Sequence, residues 1–316
     1  MNWLNNIKST IFSKSIYMRK FFLFAALALV SIYGCNNNQL EPSPEQPSID
    51  EERIPINLST QILTKATDTN YEKGDQVGIY TVNYLNGVAG TLVDTGNHLD
   101  NIRFTYDGAK WASDVPVYWK DQKTPADFYC YYPYRKEISD INAIDFSVQK
   151  DQESIEGYKA SDLLWGKAEN VTPSEKPVEI ITRHAFSNVI ICLVPGNGYT
   201  KETLAAEDIS IAITGVKTSA ILDMSTGIVR STGNISNMIP YKDNDRWKAL
   251  VVPQEIIGKD IIKINVGDDE YILNQTVTFM PNKQHICTLT INRIEEGVNI
   301  KIGGWEIDDK DFGGVL

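Results

Sequence analysis

The sequence is poor in cysteine and histidine, the residues that supply many metal ligands and nucleophile–base pairs. It contains four Cys and three His in 316 residues, and their spacing does not match a zinc site. With Cys35 set aside as part of an N-terminal signal, Cys130, Cys192 and Cys287 remain, and this odd number excludes a complete disulfide framework. Each lies in an apolar, strand-like stretch and is predicted to pack as a small core residue. At most one disulfide can form, and Cys192 with Cys287 is the candidate pair.

Recognisable catalytic motifs are also missing. No Ser lies in a nucleophile elbow, and no paired acidic motif indicates a glycosidase. His98 lies in a polar loop, while His184 and His285 lie in strand-like stretches, so all three are interpreted as structural. The acidic cluster at 243–245 lacks the Gly and distal Glu of a calcium loop, and turn chemistry explains it and the cluster at 308–311. We predict that the protein is not an enzyme and has no catalytic, cofactor-binding or metal-binding residues.

The chain has no basic excess and no apolar run long enough to span a membrane. Its net charge of −11 argues against nucleic acid and anionic membrane surfaces as partners. The apolar run Phe21 to Ile32 falls short of the ~20 residues that a membrane helix needs. Because Arg19 and Lys20 precede this run and Gly34 and Cys35 follow it, the pattern predicts a secretory leader over residues 1–34.

The Gly34-Cys35 pair resembles the end of a bacterial lipoprotein signal. This resemblance implies that a diacylglyceryl group is attached to the Cys35 thiol and that cleavage occurs just before it. The alternative is an ordinary secreted protein with a chance Cys at this position. Residues 35–52 are rich in Pro, Glu and Ser and are predicted to form a lipidated, flexible tether.

Beyond residue 53, apolar residues alternate with polar ones in many short stretches, and no stretch predicts an amphipathic helix of three turns. The clearest terminal strands are Ile54 to Ile62 and Val298 to Ile302. Arg103 to Trp111 predicts a hairpin that turns tightly at Asp107-Gly108, and Asp162 to Leu164 predicts a short helical turn. Val115 to Trp119 predicts an edge strand. The pattern is typical of an all-β fold with two β-sandwich domains, residues 53–175 and 176–316.

A run of aromatic residues from Phe128 to Tyr134 leaves two interpretations open. Exposed, coplanar rings would form a sugar-stacking platform. Buried rings would pack in the core and pair across strands. Because a strand presents alternate residues to opposite faces, core packing is the favoured interpretation.

Several short motifs occur in a fixed order over nearly the whole chain. They resemble the landmarks of the fimbrillin-like lipoproteins, the major and minor pilin families of Gram-negative gut and oral anaerobes. The motifs are Thr64-Lys65-Ala66 with Lys73 to Tyr80, Phe128 to Tyr134, Ser161 to Gly166, Arg183 to Val189, Val251 to Gln254, Met280 to Ile291 and Ile302 to Trp305.

The resemblance implies two transthyretin-like β-sandwich domains, an outer-membrane lipoprotein and a role in fimbriae or adhesion. It also implies assembly by strand exchange, in which an arginine-specific protease removes a first strand and the C-terminal strand of another subunit replaces it. Arg53 precedes the strand Ile54 to Ile62, and Lys65 follows it, so these are the candidate processing positions. The candidate donor residues are Val298, Ile300 and Ile302.

We therefore expect a cell-surface structural or adhesive subunit of a fimbrium, as stalk, tip, anchor or accessory. Its expected partners are other fimbrial subunits, the outer membrane through the lipid on Cys35, and ligands on host or bacterial surfaces. The alternative function is a glycan-binding surface lipoprotein of a polysaccharide-uptake system, which exposed aromatic residues would favour.

Overall fold

Strands make up most of the structure, a computed structural model that describes residues 53–62, 70–294 and 297–308. The predicted leader and tether, Cys35 and Lys65 lie outside these residues. The two helices are five residues long each, and the described residues include no helix of the length and apolarity needed to cross a bilayer. The all-β prediction is confirmed.

The elements of the first part of the chain, up to residue 184, are mostly strands. They are β1 (Leu58–Ile62), β2 (Gln76–Leu85), β3 (Val88–Ala89), β4 (Leu99–Tyr106), β5 (Trp111–Ser113), β6 (Ala126–Tyr132), β7 (Ile144–Ser147), α1 (Ile155–Lys159), β8 (Leu164–Val171) and β9 (Val178–His184).

The second part has longer strands and one short helix. These elements are β10 (Ser187–Pro195), α2 (Lys201–Ala205), β11 (Ile209–Leu222), β12 (Val229–Met238), β13 (Tyr241–Asp243), β14 (Arg246–Val251), β15 (Gln254–Val266), β16 (Asp269–Phe279), β17 (Gln284–Ile294) and β18 (Gly297–Asp308).

The strands form three sheets. The first has the order β1-β9-β8-β6-β2-β4-β5, with β3 paired to β2. The second has the order β13-β14-β10-β17-β18, and the third has the order β12-β11-β15-β16, with β7 paired to β11. Most neighbours are antiparallel, but β1 runs parallel to β9 and β10 runs parallel to β17.

Period-two alternation places the core residues. In β9, Val178, Ile180, Thr182 and His184 are buried while the residues between them are exposed. The first sheet has buried residues on both faces. One face joins a smaller core that includes Val77 and Phe128, and the other joins a larger core shared with the second and third sheets.

Strand pairing crosses the predicted domain boundary in both directions. β9 follows residue 175 but pairs with β1 and β8 in the first sheet. β7 precedes that position but pairs with β11 in the third sheet. The division between residues 175 and 176, and the transthyretin-like character of the two parts, stay predictions.

The hairpin between β4 and β5 forms, but its turn is longer than predicted. Tyr106 pairs with Trp111, so the loop has four residues rather than a tight pair at Asp107-Gly108. The Asp107 carboxylate accepts hydrogen bonds from the N–H groups of Ala109 and Lys110, both at 2.8 Å. This side chain organises the wider turn, and Gly108 supplies the positive φ of 103° within it.

Two local predictions are wrong. Asp162 to Leu164 is not a helical turn, because the helix α1 ends at Lys159 and β8 begins at Leu164. The helix starts instead at Ser154, whose side chain accepts a hydrogen bond from the N–H of Gly157. Val115 to Trp119 is not a regular edge strand and pairs only with the segment around Pro55.

Candidate functional site: the two terminal strands

The N-terminal segment 53–62 pairs first with residues 117–119 and then with β9 of the first sheet. Its first half pairs with 117–119 through two hydrogen bonds, from Ile56 N–H to the Val117 carbonyl at 3.0 Å and from Trp119 N–H to the Ile54 carbonyl at 2.9 Å. Its second half is β1, paired with β9 at the edge of the sheet. The predicted strand Ile54 to Ile62 is therefore one extended segment with two successive partners.

The side chains of this segment complete the smaller core. Ile56 and Leu58 are each only 5% exposed. They pack in the cluster that contains Trp119, Val178 and Ile180. Removing the segment would expose this apolar surface and the backbone groups of β9 that now pair with β1.

A chain of hydroxyl groups holds the end of β1. The Thr182 hydroxyl donates to the Gln61 carbonyl at 3.2 Å, and the Tyr71 hydroxyl lies 2.9 Å from the Thr182 oxygen. Because Thr182 uses its proton toward Gln61, Tyr71 is the donor to Thr182. Burial raises the pKa of Tyr71 well above its usual value, so Tyr71 keeps that proton. Its ring also packs edge-on against Trp111, 4.9 Å between centroids.

The candidate processing positions flank this segment. Arg53 is exposed, with its guanidinium carbon 5.8 Å from the centre of the Tyr118 ring. It precedes the paired residues, so cleavage there leaves all of 54–62 attached to the rest of the folded chain. Lys65 lies among the undescribed residues 63–69, which connect Ile62 to Asn70.

The C-terminal strand β18 forms one edge of the second sheet, and β13 forms the other. It pairs antiparallel with β17 from Gly297 opposite Ile294 to Asp308 opposite Gln284. Val298 is 8% exposed, and Ile300 packs against the larger core. The backbone of Ile302 lies opposite Leu289. Tyr271 fastens the start of the strand, since its hydroxyl donates to the Val298 carbonyl and accepts from the Val298 N–H.

Three rings of the aromatic run are buried, as the core-packing interpretation predicts, while Tyr132 and Tyr134 are half-buried. Phe128 and Tyr131 are 0% exposed and Tyr129 is 5% exposed. Tyr131 packs against Phe146 in the larger core, with 6.3 Å between ring centroids. Phe128 packs against Trp119 in the smaller core. These rings do not form an exposed platform for sugar stacking.

The three histidines lie in different segments of the fold and contact different partners. The His98 ring lies 2.8 Å from the Tyr118 carbonyl. Nδ1 of His184 lies 2.8 Å from a carboxylate oxygen of the buried Asp162. His285 accepts a hydrogen bond from the N–H of Met280, and burial lowers its pKa. Within residues 53–62, 70–294 and 297–308, His, Cys, Asp and Glu form no group of three or more that could hold a metal ion.

The cysteine prediction is confirmed in part. Cys130 and Cys287 are buried, whereas Cys192 is only half-buried, and all three are free thiols. Cys192 lies opposite Thr288, and Cys287 lies opposite Ile191 on the same pair of strands. Because neighbouring positions along a strand face opposite sides of the sheet, the two sulfurs point to opposite faces. The candidate disulfide between Cys192 and Cys287 is therefore not formed.

Two surface features were not predicted from the sequence. One is the tip of the β2–β3 hairpin, residues 85–88, where Asn86-Gly87 is a turn signal in the sequence. The other is a cleft between α2 and the β13–β14 hairpin, with a volume of about 580 Å³. No local motif indicates the cleft, because its walls come from segments between residues 193 and 247 that meet only in the folded protein.

Comparisons with known proteins agree with this all-β architecture. A model of the fimbrillin-like family matches residues 64–305. A Bacteroides uniformis protein named "Putative fimbrium subunit Fim1C" is 25% identical over 296 residues, which are 89% of this chain and 93% of that protein.

Two crystal structures, each called a "putative cell adhesion protein", share the fold. The Bacteroides uniformis structure has a TM-score of 0.61 at 19% identity, and the match covers 84% of this chain and 99% of the chain in that structure. The Bacteroides ovatus structure has a TM-score of 0.65 at 14% identity, covering 80% and 97%.

Because the family model spans most of the sequence, the chain belongs to the fimbrillin-like family. It is a fimbrillin-like structural or adhesive subunit. The family that the sequence motifs predicted is confirmed.

Proposed function

We propose that this chain is a non-enzymatic surface subunit of a fimbrium, held at the outer membrane by lipid on Cys35 and joined to neighbouring subunits by exchange of a terminal strand. Family membership and the fimbrium name of its Bacteroides uniformis relative support the fimbrial role. The motif at Gly34-Cys35 supports the lipid anchor. The geometry of the N-terminal segment supports strand exchange.

One observation carries the exchange proposal: segment 54–62 is at a sheet edge and fills a groove in the smaller core. Exposing the Ile56 and Leu58 side chains costs about 1.5–3 kcal/mol each. That loss is a large part of the 5–15 kcal/mol that stabilises a typical domain. A groove emptied of this segment therefore needs a new strand with alternating apolar residues.

The donor in this proposal is the strand that carries Val298, Ile300 and Ile302 of another subunit. Its apolar residues alternate, as the groove requires. Since β18 is paired with β17 along its length, donation requires that this pairing opens in the donor subunit. Release of the acceptor's own segment requires a cut after Ile62, in the stretch 63–69 that includes Lys65, because a cut at Arg53 leaves the segment attached.

The test introduces a sequence-specific protease site in place of residues 64–68 of the full chain. After cleavage, we expect an added peptide of residues 297–308 to bind and to displace the fragment that ends in 54–62, as measured by mass spectrometry of the captured protein. A peptide with Val298, Ile300 and Ile302 all changed to Ser is the matched control. Strand exchange is wrong if the cut protein takes up neither peptide, or if the uncut protein binds the native peptide equally well.

Assembly in cells gives a second measurement. Deleting residues 297–316 should leave a protein that folds, shown by its resistance to proteolysis, but that no longer enters surface filaments. Filaments that still incorporate the truncated chain, or a truncated chain that does not fold, would exclude the donor role of this strand. The glycan-binding alternative gains no support from the aromatic run, because Phe128, Tyr129 and Tyr131 are buried.

A further inference from the structure

Two aliphatic side chains project from the β2–β3 tip, residues 85–88. Leu85 is 70% exposed and Val88 is 69% exposed, the highest values among the large hydrophobic residues that the structure describes. They are directly opposite each other across the hairpin. Isolated exposed aliphatic residues are common, but a pair at one projecting point is an apolar knob that water solvates poorly.

The turn holds this knob in a fixed shape. Asn86 has φ of 51° and Gly87 has φ of 79°, the pattern of the two-residue primed turn that matches the twist of a hairpin. Because the turn is preorganised, a partner that binds the knob loses little conformational entropy in ordering it. The four tip residues carry no charge, so burying them desolvates no ionised group.

The cleft between α2 and the β13–β14 hairpin has a complementary surface. Its apolar lining residues include Leu193, Pro195, Leu204, Ile209 and Trp247, and the charged residues Lys201, Glu207, Lys242 and Asp245 line it as well. At about 580 Å³ it has room for two aliphatic side chains. Lys201 and Asp245 form an ion pair of 3.4 Å at its rim, with side chains 75% and 60% exposed. An ion pair this exposed is weak, so it does not keep the cleft closed.

The tip cannot reach the cleft of its own molecule. Ile209 lines the cleft, and β11 runs from it to Leu222 over ~43 Å of chain at the usual rise per residue, with an irregular register around Gly215. Hydrogen bonds then connect this far end toward the tip, from Met224 N–H to the Ile141 carbonyl and from Ile141 N–H to the Asp94 carboxylate, both 2.8 Å. The knob and the cleft therefore lie at separate ends of the described structure.

We propose that the β2–β3 tip of one copy docks in the α2–β13/β14 cleft of the next copy. A knob and a pocket at different places on one molecule make a head-to-tail contact that does not close on itself, and such contacts build rows of subunits. The contact is small and belongs with weak interfaces, which suits a supplementary contact between subunits that are already joined. It uses neither 54–62 nor β18, so it is independent of strand exchange.

Cysteine crosslinking in exported, full-length protein tests this contact. In a Cys192→Ser background, Val88→Cys is combined with Ala205→Cys, an exposed position that lines the cleft. Mild oxidation should give a ladder of disulfide-linked dimers, trimers and longer chains on a denaturing gel. Each single cysteine variant should give no ladder. A matched control combines Ala205→Cys with Ile257→Cys, which places the thiol at a comparably exposed aliphatic residue, 64% exposed, away from the tip.

A complementary pair of blocked variants separates this contact from chance collisions. Leu85→Ser with Val88→Ser removes the knob but keeps the Asn86-Gly87 turn, and Ala205→Trp fills the cleft. In protein left uncut at residues 63–69, which cannot exchange strands, each variant alone should lose self-association in sedimentation, and a mixture of the two should give dimers only, because one intact knob then meets one intact cleft. The proposal is overturned if the ladder forms equally with Ile257→Cys, if the wild type shows no self-association, or if filling the cleft with Trp has no effect.

Discussion

The side-chain amide of Gln152 pairs with the backbone of Leu250 as a neighbouring strand would. Its Nε2 donates to the Leu250 carbonyl and its Oε1 accepts from the Leu250 N–H, both at 2.9 Å. Gln152 is completely buried. The side chain of Gln152 thus takes the place of a neighbouring strand at this position of β14. It satisfies the buried backbone N–H and C=O groups of Leu250.

Replacing Gln152 with Ala should lower the free energy of unfolding by about 2–4 kcal/mol, because it leaves the buried N–H and C=O of Leu250 without partners. Denaturant unfolding followed by intrinsic fluorescence measures this change. Gln122→Ala is the matched control, since Gln122 is exposed. Equal stability of the Gln152 variant and the wild type would contradict the assigned role.

Replacing Tyr71 with Phe should loosen the end of β1. The change removes the hydroxyl that donates to Thr182 while keeping the ring against Trp111, so the cost is about 1 kcal/mol. Hydrogen exchange of the backbone amides from residue 58 to residue 62 should become faster in this variant. Tyr118→Phe, at a position 36% exposed, should not have this effect. An unchanged exchange rate in the Tyr71 variant would show that the hydroxyl chain does not hold the strand.

Thiol labelling of the native protein should distinguish Cys192 from the two core cysteines. Burial raises the pKa of Cys287 to about 12 and also raises that of Cys130. The half-buried Cys192 is the accessible thiol of the three. Cys192 should therefore react quickly with a thiol reagent, and Cys130 and Cys287 should react only after denaturation. Mass spectrometry counts the labelled residues. The fast reaction should vanish in Cys192→Ser, and rapid labelling of Cys287 would contradict its placement in the core.

His285 should make the protein less stable in mild acid. Because burial lowers its pKa below the usual 6.5, the unfolded chain binds a proton more readily than the folded chain just below that pH. The free energy of unfolding should then fall as the pH drops below about 6.5. In His285→Gln, the fall between about pH 7 and 5 should be smaller, as measured by denaturant unfolding at each pH. The same slope in both proteins would exclude His285 as the titrating group.

Changing Cys35 to Ser should prevent lipid attachment. We expect the variant to remain as soluble protein or as precursor, because it lacks the thiol to which we propose that the diacylglyceryl group is attached. Metabolic labelling with a lipid precursor, together with membrane fractionation, measures both effects. Cys192→Ser serves as the control for loss of a thiol. Unchanged lipid labelling and membrane partitioning of the Cys35 variant would show that the anchor lies elsewhere.

Alternation of apolar and polar residues is enough to predict most of the sheet. It places His285, Cys287, Leu289 and Ile291 on one face of a strand, and all four are buried in β17. The turn at Asp107 is longer than its sequence predicts, because the side chain of Asp107, rather than Gly108 alone, determines how many residues the loop holds. The helix α1 was not predicted, because one turn of helix is too short to show a periodic pattern of apolar residues in the sequence.

Contacts between distant segments are the part that the sequence could not predict. The alternating pattern of 54–62 predicts a strand, but nothing in it indicates that Ile56 pairs near Val117 while Leu58 pairs with Val178. The cleft is a similar case, since Leu193, Leu204 and Trp247 become neighbours only through the order of the second sheet and the position of α2. Such sites depend on topology, which residue periodicity does not specify.

The parallel pairing of β1 with β9 also constrains the order of folding. Gln61 and Thr182 are hydrogen-bonded although they are 121 residues apart in the sequence. Closing a loop of that length costs about 4 kcal/mol of chain entropy, which must be met before the contacts it allows can stabilise the fold. The hairpins of the first sheet close over far shorter distances and can form earlier. β1 is thus among the last of the described strands to reach its place, and the folding chain passes through a stage in which β9 has formed and its edge is not yet paired with β1.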